Sequence, residues 1–388
     1  MYHTNRFLLM ICLFIFSLAG CIYQADMPPD SVMEVRPGVY KAQIPGDVPL
    51  PMSDYDIYVI GELYGAMEVT PFILEYLQSL HDAQGVCTII IEHDRVYQME
   101  ANDYVQGKTD SLCEALCLRK DVLNGLKSYN ETLPEEEKIS VYFIDIDSTL
   151  DAIYLHLQRI LNTYGPPDSL MGLPPVCEIE TWNHEKAMEF FDQLQTLSAD
   201  PAFLNQLETI RASLQIYLSK DKGKNGNMLL FPSVLYTREQ VYTQNMAWIL
   251  HEVSSPLLAV VGSIHAQKTP SFYDEHLHEF KTWVQRLTEE GIPIHSVGIS
   301  GVTGKIHWLG GVHQVSSNLM YLKYSDGTLL TTLWTERSFY PTLYVDLRRK
   351  ENASLLWSGP DRDVLLCQVY DGIIYFHKIT PMNFDCSS

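Results

Sequence analysis

The sequence is poor in basic residues. Its 388 residues include 27 Lys and Arg against 48 Asp and Glu, which gives a formal net charge of −21. Proteins that bind nucleic acid obtain much of their affinity from Lys and Arg contacts to phosphates, so this shortage disfavours a nucleic-acid partner. The content of 46% hydrophobic and 19% charged residues is that of a folded chain and excludes a disordered or collagen-like protein.

Two motifs of hydrolytic enzymes are also missing. No G-x-S-x-G is present, so nothing indicates the nucleophilic serine of an α/β-hydrolase. No H-E-x-x-H is present, so a zinc-protease helix is not indicated either. The eight cysteines are scattered and form no pattern of paired zinc ligands.

Long hydrophobic runs are absent except near the start of the chain. Arg6 precedes ten apolar residues at 7–16, which is too short for a membrane span and typical of a signal-peptide core. The tetrapeptide LAGC, ending at Cys21, then resembles the processing box of bacterial lipoproteins, in which the cysteine carries diacylglycerol. We therefore expect residues 1–20 to be a signal peptide and lipidated Cys21 to anchor the protein in a bilayer of the cell envelope. Since Ile22 rather than Asp follows, the resemblance implies the outer membrane if the host is Gram-negative.

The rest of the chain divides into three parts by composition. Residues 21–50 contain five prolines and little periodicity, and they are interpreted as a tether. Strands alternate with helices over residues 51–310, which predicts an α/β domain with a mainly parallel sheet, flanking helices and a helical insertion at about 165–232. Residues 311–388 carry short β runs joined by Asp-Gly turns, which predict a C-terminal antiparallel β extension.

Ionisable residues follow four of the predicted strands. The strands at 57–60, 86–91, 139–146 and 257–262 lead into Glu62, Glu92, Asp147 and His265, respectively. Because ligands bind beyond the carboxyl ends of parallel strands, these side chains predict a site. Singly, Asp147 is equally consistent with a helix cap and His265 with a buried core histidine.

Two kinds of chemistry fit this set. Glu62, Glu92 and His265 together can perform acid–base work on a water molecule, with Arg238 stabilising the negative charge that develops. Alternatively, the four residues that follow the strands, Asp147 included, can hold a divalent metal. The sequence leaves both open.

Four short motifs resemble the Tiki superfamily. They are the Gly-Glu pair ending at Glu62, the second-strand acid Glu92, the helix sequence TREQVYTQNMAW at 237–248, and a G-x-x-H ending at His265. This group includes erythromycin esterase-like hydrolases, ChaN-type haem-uptake lipoproteins and Tiki/TraB-type proteases, and the resemblance covers about residues 55–300. It implies a hydrolase site made of Glu62, Glu92, His265 and Arg238.

The sequence departs from the superfamily in one respect. Members usually place a histidine two or three residues after the first glutamate, whereas Leu63, Tyr64 and Gly65 follow here. Either His93 substitutes for it or the hydrolytic base is lost. Tyr64 is instead a candidate haem-iron ligand, because a phenolate can hold haem iron.

Two functions are therefore expected from the sequence. The first is a membrane-anchored hydrolase that acts on an ester or amide. The alternative is a haem- or iron-binding uptake lipoprotein without turnover, in which Tyr64 and His93 contact the cofactor. An inactive member of the superfamily that binds a partner through its C-terminal β region is a third interpretation.

Overall fold

The protein is described here from a computed structural model. The described residues are 32–42, 48–51, 55–166, 172–219, 232–254, 256–269, 281–308, 311–314, 341–358 and 363–382. The predicted signal peptide and Cys21 lie outside these ranges.

Strands and helices alternate through much of the chain. The strands are β1 (Val32–Arg36), β2 (Val39–Ala42), β3 (Ile57–Glu62), β4 (Thr88–Asp94), β5 (Ser140–Asp145), β6 (Leu257–Gly262), β7 (Ile294–Trp308), β8 (Gly311–Gln314), β9 (Thr342–Asp346), β10 (Leu356–Ser358), β11 (Asp363–Leu365) and β12 (Gly372–Ile379). The α-helices are α1 (Val69–Gln84), α2 (Gln98–Val105), α3 (Lys120–Asn130), α4 (Leu150–Tyr164), α5 (Val176–Ile179), α6 (His184–Gln195), α7 (Pro201–Leu218), α8 (Pro232–Glu252) and α9 (Trp283–Glu289).

Within the described residues, ten strands form one central sheet. Their order is β1-β2-β9-β12-β7-β3-β6-β4-β5, with β8 paired to β7, while β10 and β11 form a separate pair. The six strands from β12 to β5 run parallel, and β9, β2 and β1 continue the sheet in antiparallel fashion. The predicted fold class, an α/β protein with a mainly parallel sheet, is confirmed.

The parallel strands are buried because both faces of the sheet are covered. Every residue of β3 and β6 is buried, as expected for apolar runs that do not alternate with polar residues. One face packs against α1, α2 and α3, and the other packs against α8 and α9. A three-layer arrangement follows, with the carboxyl ends of β3, β4, β5 and β6 at one edge.

The predicted helical insertion contains α5, α6 and α7. Their apolar side chains, among them Phe191, Phe203 and Ile210, form a cluster of their own with Ile153 and Leu157 of α4. This cluster is built by amphipathic helices that bury one stripe each. The insertion is therefore a helical layer attached to the sheet through α4.

The structure differs from the predicted tether over residues 32–42. These residues form the hairpin of β1 and β2, and β2 pairs with β9 through Val39 and Val345. Gly38 makes the turn with φ of +74° and donates its backbone N–H to Glu34. Pro37, before this glycine, belongs to the hairpin turn. Its presence therefore did not indicate a linker.

The predicted C-terminal extension also differs from the structure. β12 lies inside the main sheet, parallel to β7 and antiparallel to β9, and it does not pair with β11. The Asp371-Gly372 turn therefore does not close a hairpin between neighbouring strands. The other Asp-Gly turn of this region, Asp326-Gly327, lies outside the described residues.

Side-chain amides cover the outer edge of β5. Asn102 exchanges hydrogen bonds with the backbone of Val141, at 2.9 and 2.5 Å. Gln98 accepts a hydrogen bond from Phe143 N at 3.2 Å, and Asn130 accepts one from Ile139 N at 2.8 Å. Backbone groups of an edge strand are thereby satisfied without another strand.

Two further observations concern the membrane and the thiols. Among the described helices, none combines the length and the apolar character of a membrane span.

Cys117 is disulfide-bonded, whereas Cys113, four residues earlier, is a free thiol. The two are therefore not bonded to each other.

Candidate active site

The strand ends bring most of the predicted residues together. Glu62 ends β3, Glu92 lies near the end of β4, and His265 follows β6 by three residues. Arg238 reaches them from α8, since it contacts Glu92. All four are at most 8% exposed, so this is a buried group of charges rather than a surface patch.

Glu62 is paired with an arginine that the sequence analysis did not identify. Arg119 Nη2 lies 2.6 Å from Glu62 Oε1 and donates a hydrogen bond to the backbone oxygen of Glu92 at 3.0 Å. Burial works to lower the pKa of Arg119, but Glu62 outweighs it and the pKa is raised. Arg119 therefore carries a permanent positive charge that joins the ends of β3 and β4.

Glu92 lies at the centre of the site. Its Oε1 accepts from Arg238 at 2.7 Å, and its Oε2 accepts from the backbone N–H of Gly262 at 2.6 Å. Tyr64 also hydrogen-bonds to this carboxylate. Burial works to raise the pKa of Glu92, but His265, Arg238 and the hydrogen bonds lower it to about 2. Glu92 is consequently ionised at neutral pH.

Arg238 is held by more than one partner. It donates to both oxygens of Asp145, at 3.0 and 2.5 Å, and to the hydroxyl of Tyr242 at 2.7 Å. Tyr242 is one turn further along α8, so the two side chains share a helix face. Burial works to lower the pKa of Arg238, but Asp145 and Glu92 raise it well above its ordinary value. The guanidinium thus ties β4, β5 and α8 together.

His265 is oriented by a second residue of α8, Glu239. Its Nδ1 makes a short hydrogen bond to Glu239 Oε1, and Glu239 Oε2 accepts from Trp283 N, at the start of α9, at 2.6 Å. The other nitrogen, Nε2, faces Glu92 Oε1 at 3.7 Å. Burial works to lower the pKa of His265, but Glu92 and Glu239 outweigh it and raise it. The imidazole is therefore fixed in direction and favours its protonated form.

Asp147 lies in a different cluster. Its carboxylate accepts from Val96 N at 3.1 Å and pairs with His156 of α4 at 2.7 Å. The role that the sequence assigned to it at the strand end belongs instead to Asp145, the last residue of β5, which contacts Arg238. Asp147 N also donates to Ser213 of α7 at 2.9 Å, so Asp147 links the helical insertion to the end of β5.

The two predicted haem contacts do not suit an iron ligand set. Burial, followed by the charges of Glu92 and Glu62, raises the pKa of Tyr64 well above its usual value, so its phenolate is disfavoured. The Arg119 guanidinium carbon also lies 5.2 Å from the centre of the Tyr64 ring. His93 packs against Phe143, with ring centres 5.0 Å apart, and burial lowers its pKa to about 4.

A metal ion does not fit the described residues either. No three His, Cys, Asp or Glu side chains within the described ranges are arranged to hold one. Glu62 and Glu92 are each paired with a guanidinium, and a cation placed between them would be repelled by Arg119 and Arg238. The carboxylates of this site are therefore neutralised by arginine and histidine.

Three important residues escaped the sequence analysis: Arg119, Asp145 and Glu239. Glu239 is adjacent to Arg238, and its place directly beside a predicted site residue was a usable signal. Asp145 alternates with Asp147 in the sequence IDID, and only the end of β5 decides between them. Arg119 ends a 3-10 turn at 114–119, for which no periodic pattern exists.

No protein-family model matches this sequence, and no curated protein matches it. Solved structures do resemble it. A protein from Bacillus cereus has a TM-score of 0.62 and 17% identity over 84% of this chain and 89% of its own. A succinoglycan biosynthesis protein has a TM-score of 0.60 and 15% identity, with the same coverage.

The third structure is an erythromycin esterase, EreC, as a histidine-to-asparagine mutant in its open conformation. Its TM-score is 0.59 at 12% identity, over 85% of this chain and 92% of EreC. The chain therefore has the fold of erythromycin esterase. This confirms, for the fold, the resemblance that the sequence motifs indicated.

Proposed function

We propose that the protein is a membrane-anchored hydrolase that cleaves an ester or amide at the site of Glu62, Glu92 and His265. The observation that carries the proposal is the geometry of His265, which Glu239 holds on one nitrogen while the other faces Glu92 at 3.7 Å. A carboxylate that orients a histidine in this way is a recurrent device of acyl-transfer enzymes. The likeness in fold to an esterase supports the same reaction class.

The electrostatics assign different tasks to the histidine and the first glutamate. Because its pKa is raised, His265 is suited to donate a proton to the departing alcohol or amine. Glu62, held through Oε1 by Arg119, is suited to accept a proton from water through its second oxygen. In the sequence analysis, Glu62, Glu92 and His265 act together on the water, whereas here Glu62 activates the water and His265 protonates the leaving group.

The proposed reaction proceeds in two steps. Water attacks the carbonyl carbon while Glu62 takes up its proton, and Arg119 stabilises the negative charge on the carbonyl oxygen. The carbon–oxygen or carbon–nitrogen bond then breaks as His265 protonates the leaving group. Glu62 and His265 return to their first states by proton exchange with water.

Arg238 has a positioning part in this scheme. Its contacts to Glu92, Asp145 and Tyr242 direct the guanidinium at the protein rather than at a substrate.

We also propose that Cys21 anchors the chain in the membrane. Cys21→Ser is expected to move the protein from the membrane fraction to the soluble fraction, and retention in the membrane fraction contradicts the anchor.

Hydrolysis of p-nitrophenyl esters by the detergent-solubilised full-length chain tests the proposal. Wild type is expected to hydrolyse the ester above the buffer rate, and His265→Asn and Glu62→Gln are each expected to lower kcat by roughly 100-fold or more. His251→Asn is the matched control, because His251 is an exposed histidine of the same helix as Arg238. If the wild-type protein does not hydrolyse the ester but binds haemin, and Tyr64→Phe abolishes that binding, the hydrolase proposal is wrong and the uptake function is supported.

A further inference from the structure

The turn after β3 is fastened to the C-terminal end of β12. The backbone oxygen of Gly65 accepts hydrogen bonds from His307 N at 3.1 Å and from Met382 N at 2.8 Å. Gly65 has φ of +73°, and a Cβ there would come within 1.9 Å of the backbone oxygen of His307. The turn is therefore wedged between β7 and residue 382 and requires glycine.

The next three residues continue this contact. Ala66 forms an antiparallel bridge with Pro381, and Met67 N donates to Thr380 O at 2.9 Å. Thr380 N in turn donates to both carboxylate oxygens of Glu68, at 3.0 and 2.9 Å. Residues 65–68 are thus bonded at successive positions to residues 380–382, which we call the C-terminal clamp.

The clamped turn carries Tyr64 on its other side. The Tyr64 hydroxyl hydrogen-bonds to Glu92 and lies 3.5 Å from Arg119 Nη2. A Cβ on Gly262 would come within 2.9 Å of the Tyr64 ring, so the ring also fits closely against β6. One turn therefore connects the C-terminal clamp to the central carboxylate of the site and to the arginine that pairs with Glu62.

We propose that the C-terminal clamp positions Tyr64, and that through Tyr64 it sets the placement of Glu92 and Arg119. Tyr64 is in this view a positioning residue, since its hydroxyl holds a carboxylate of the site. The inference rests on the proposed hydrolase function for its kinetic consequence. Its structural consequence, a fixed environment of the Tyr64 ring, stands independently of any activity.

Two truncations of the full-length chain separate the clamp from the residues beyond it. Deletion of residues 383–388 leaves the clamp in place, and deletion of 380–388 removes it. Each protein is labelled with 3-fluorotyrosine, and the 19F signal of position 64 is the one that is absent from Tyr64→Phe. This signal is compared between each deletion and the wild type. We expect the wild-type signal in the shorter deletion and a shifted, broadened signal in the longer one, with kcat lowered roughly tenfold and KM nearly unchanged.

A point variant covers the case in which the longer deletion does not fold. Glu68→Ala removes both acceptors of Thr380 N without changing the start of α1, because the Glu68 side chain makes no cap hydrogen bond there. Glu68→Ala is expected to shift the 19F signal of position 64. Glu68→Gln keeps an acceptor oxygen and is expected to show the signal at its wild-type position. A wild-type Tyr64 signal in Glu68→Ala or in a folded 380–388 deletion would overturn the inference. A shifted signal in a protein without esterase activity would uphold it and remove only the proposed function.

Discussion

Two buried histidines lie at opposite ends of the parallel strands. His265 follows β6 at the carboxyl end and is 2% exposed, whereas His295 is near the start of β7, at the amino end, and is 1% exposed. Both lose their contact with water. Their pKa values nevertheless move in opposite directions, upward for His265 and to about 4 for His295.

The neighbours of the two rings account for the difference. His265 contacts the carboxylates of Glu239 and Glu92, which favour its charged form enough to outweigh burial. His295 lies among aromatic rings, with the ring of Tyr55 5.3 Å away, and neither of its nitrogens has a hydrogen-bond partner among the described residues. Burial therefore dominates at His295 and keeps it neutral.

The comparison distinguishes two ways of burying polar groups in one sheet. The carboxyl end contains full charges that compensate each other, so removing any one of them leaves another uncompensated. At the amino end, His295 is buried as a neutral group without a hydrogen-bond partner among the described residues, so its removal costs little. Three measurements test this distinction.

The largest effect is expected at Arg238. Arg238→Met should lower the free energy of unfolding by about 3–5 kcal/mol, because Glu92 and Asp145 would remain buried without the cation they share. Urea unfolding followed by circular dichroism measures this change. Arg211→Met is the control, since Arg211 pairs with the exposed Asp192 and should change stability by less than about 1 kcal/mol. A loss as small as the control for Arg238→Met would refute charge compensation at the carboxyl end.

The second effect is the pH dependence of stability. His295 has a folded pKa of about 4 against an ordinary 6.5, so the unfolded state takes up the proton first. The free energy of unfolding should therefore fall by up to about 3 kcal/mol as the pH drops from 6.5 to 4. His265 has a raised pKa, so its contribution is complete below pH 6.5 and is lost as the pH rises through its folded pKa.

Unfolding curves over a series of pH values, with one variant for each histidine, separate these contributions. His295→Phe should flatten the acid side of the stability profile and leave the alkaline side unchanged. His265→Gln should do the reverse. If both variants change the same side, the opposite pKa shifts of the two histidines are wrong.

The smallest effect is expected from a pair of tyrosines. Tyr242→Phe removes the hydroxyl that accepts from Arg238 at 2.7 Å and should cost about 1.5 kcal/mol. Tyr344→Phe removes a buried hydroxyl that has no hydrogen-bond partner among the described residues, and it should stay within about 0.5 kcal/mol. Both are measured by thermal or urea unfolding. Equal costs for the two would show that the ends of the sheet do not differ in this way.

The sequence predicted the parallel core because its signal is local. β3 and β6 are continuous apolar runs, and a buried strand of this kind shows itself within six residues. Glu62, Glu92 and His265 were found because each follows or ends such a run. The geometry of parallel sheets then brings them to one edge without further information.

The remaining elements depend on contacts that are distant in sequence. β2 is only four residues long, and its partner β9 lies some 300 residues later, so nothing near it indicated a strand. The same holds for β12, which enters between β7 and β9 instead of pairing with its neighbour in sequence. Arg119 belongs to this group as well, because its place beside Glu62 depends on how a short turn packs against the sheet.

The amides along the outer edge of β5 have a consequence for association between molecules. An extended segment of another chain can join a sheet only where backbone donors and acceptors are available to it. At Val141 and Phe143 these groups are already bonded to Asn102 and Gln98. Growth of the sheet by strand addition is therefore blocked on this side, and fibril-like stacking through β5 would first have to displace the two amides.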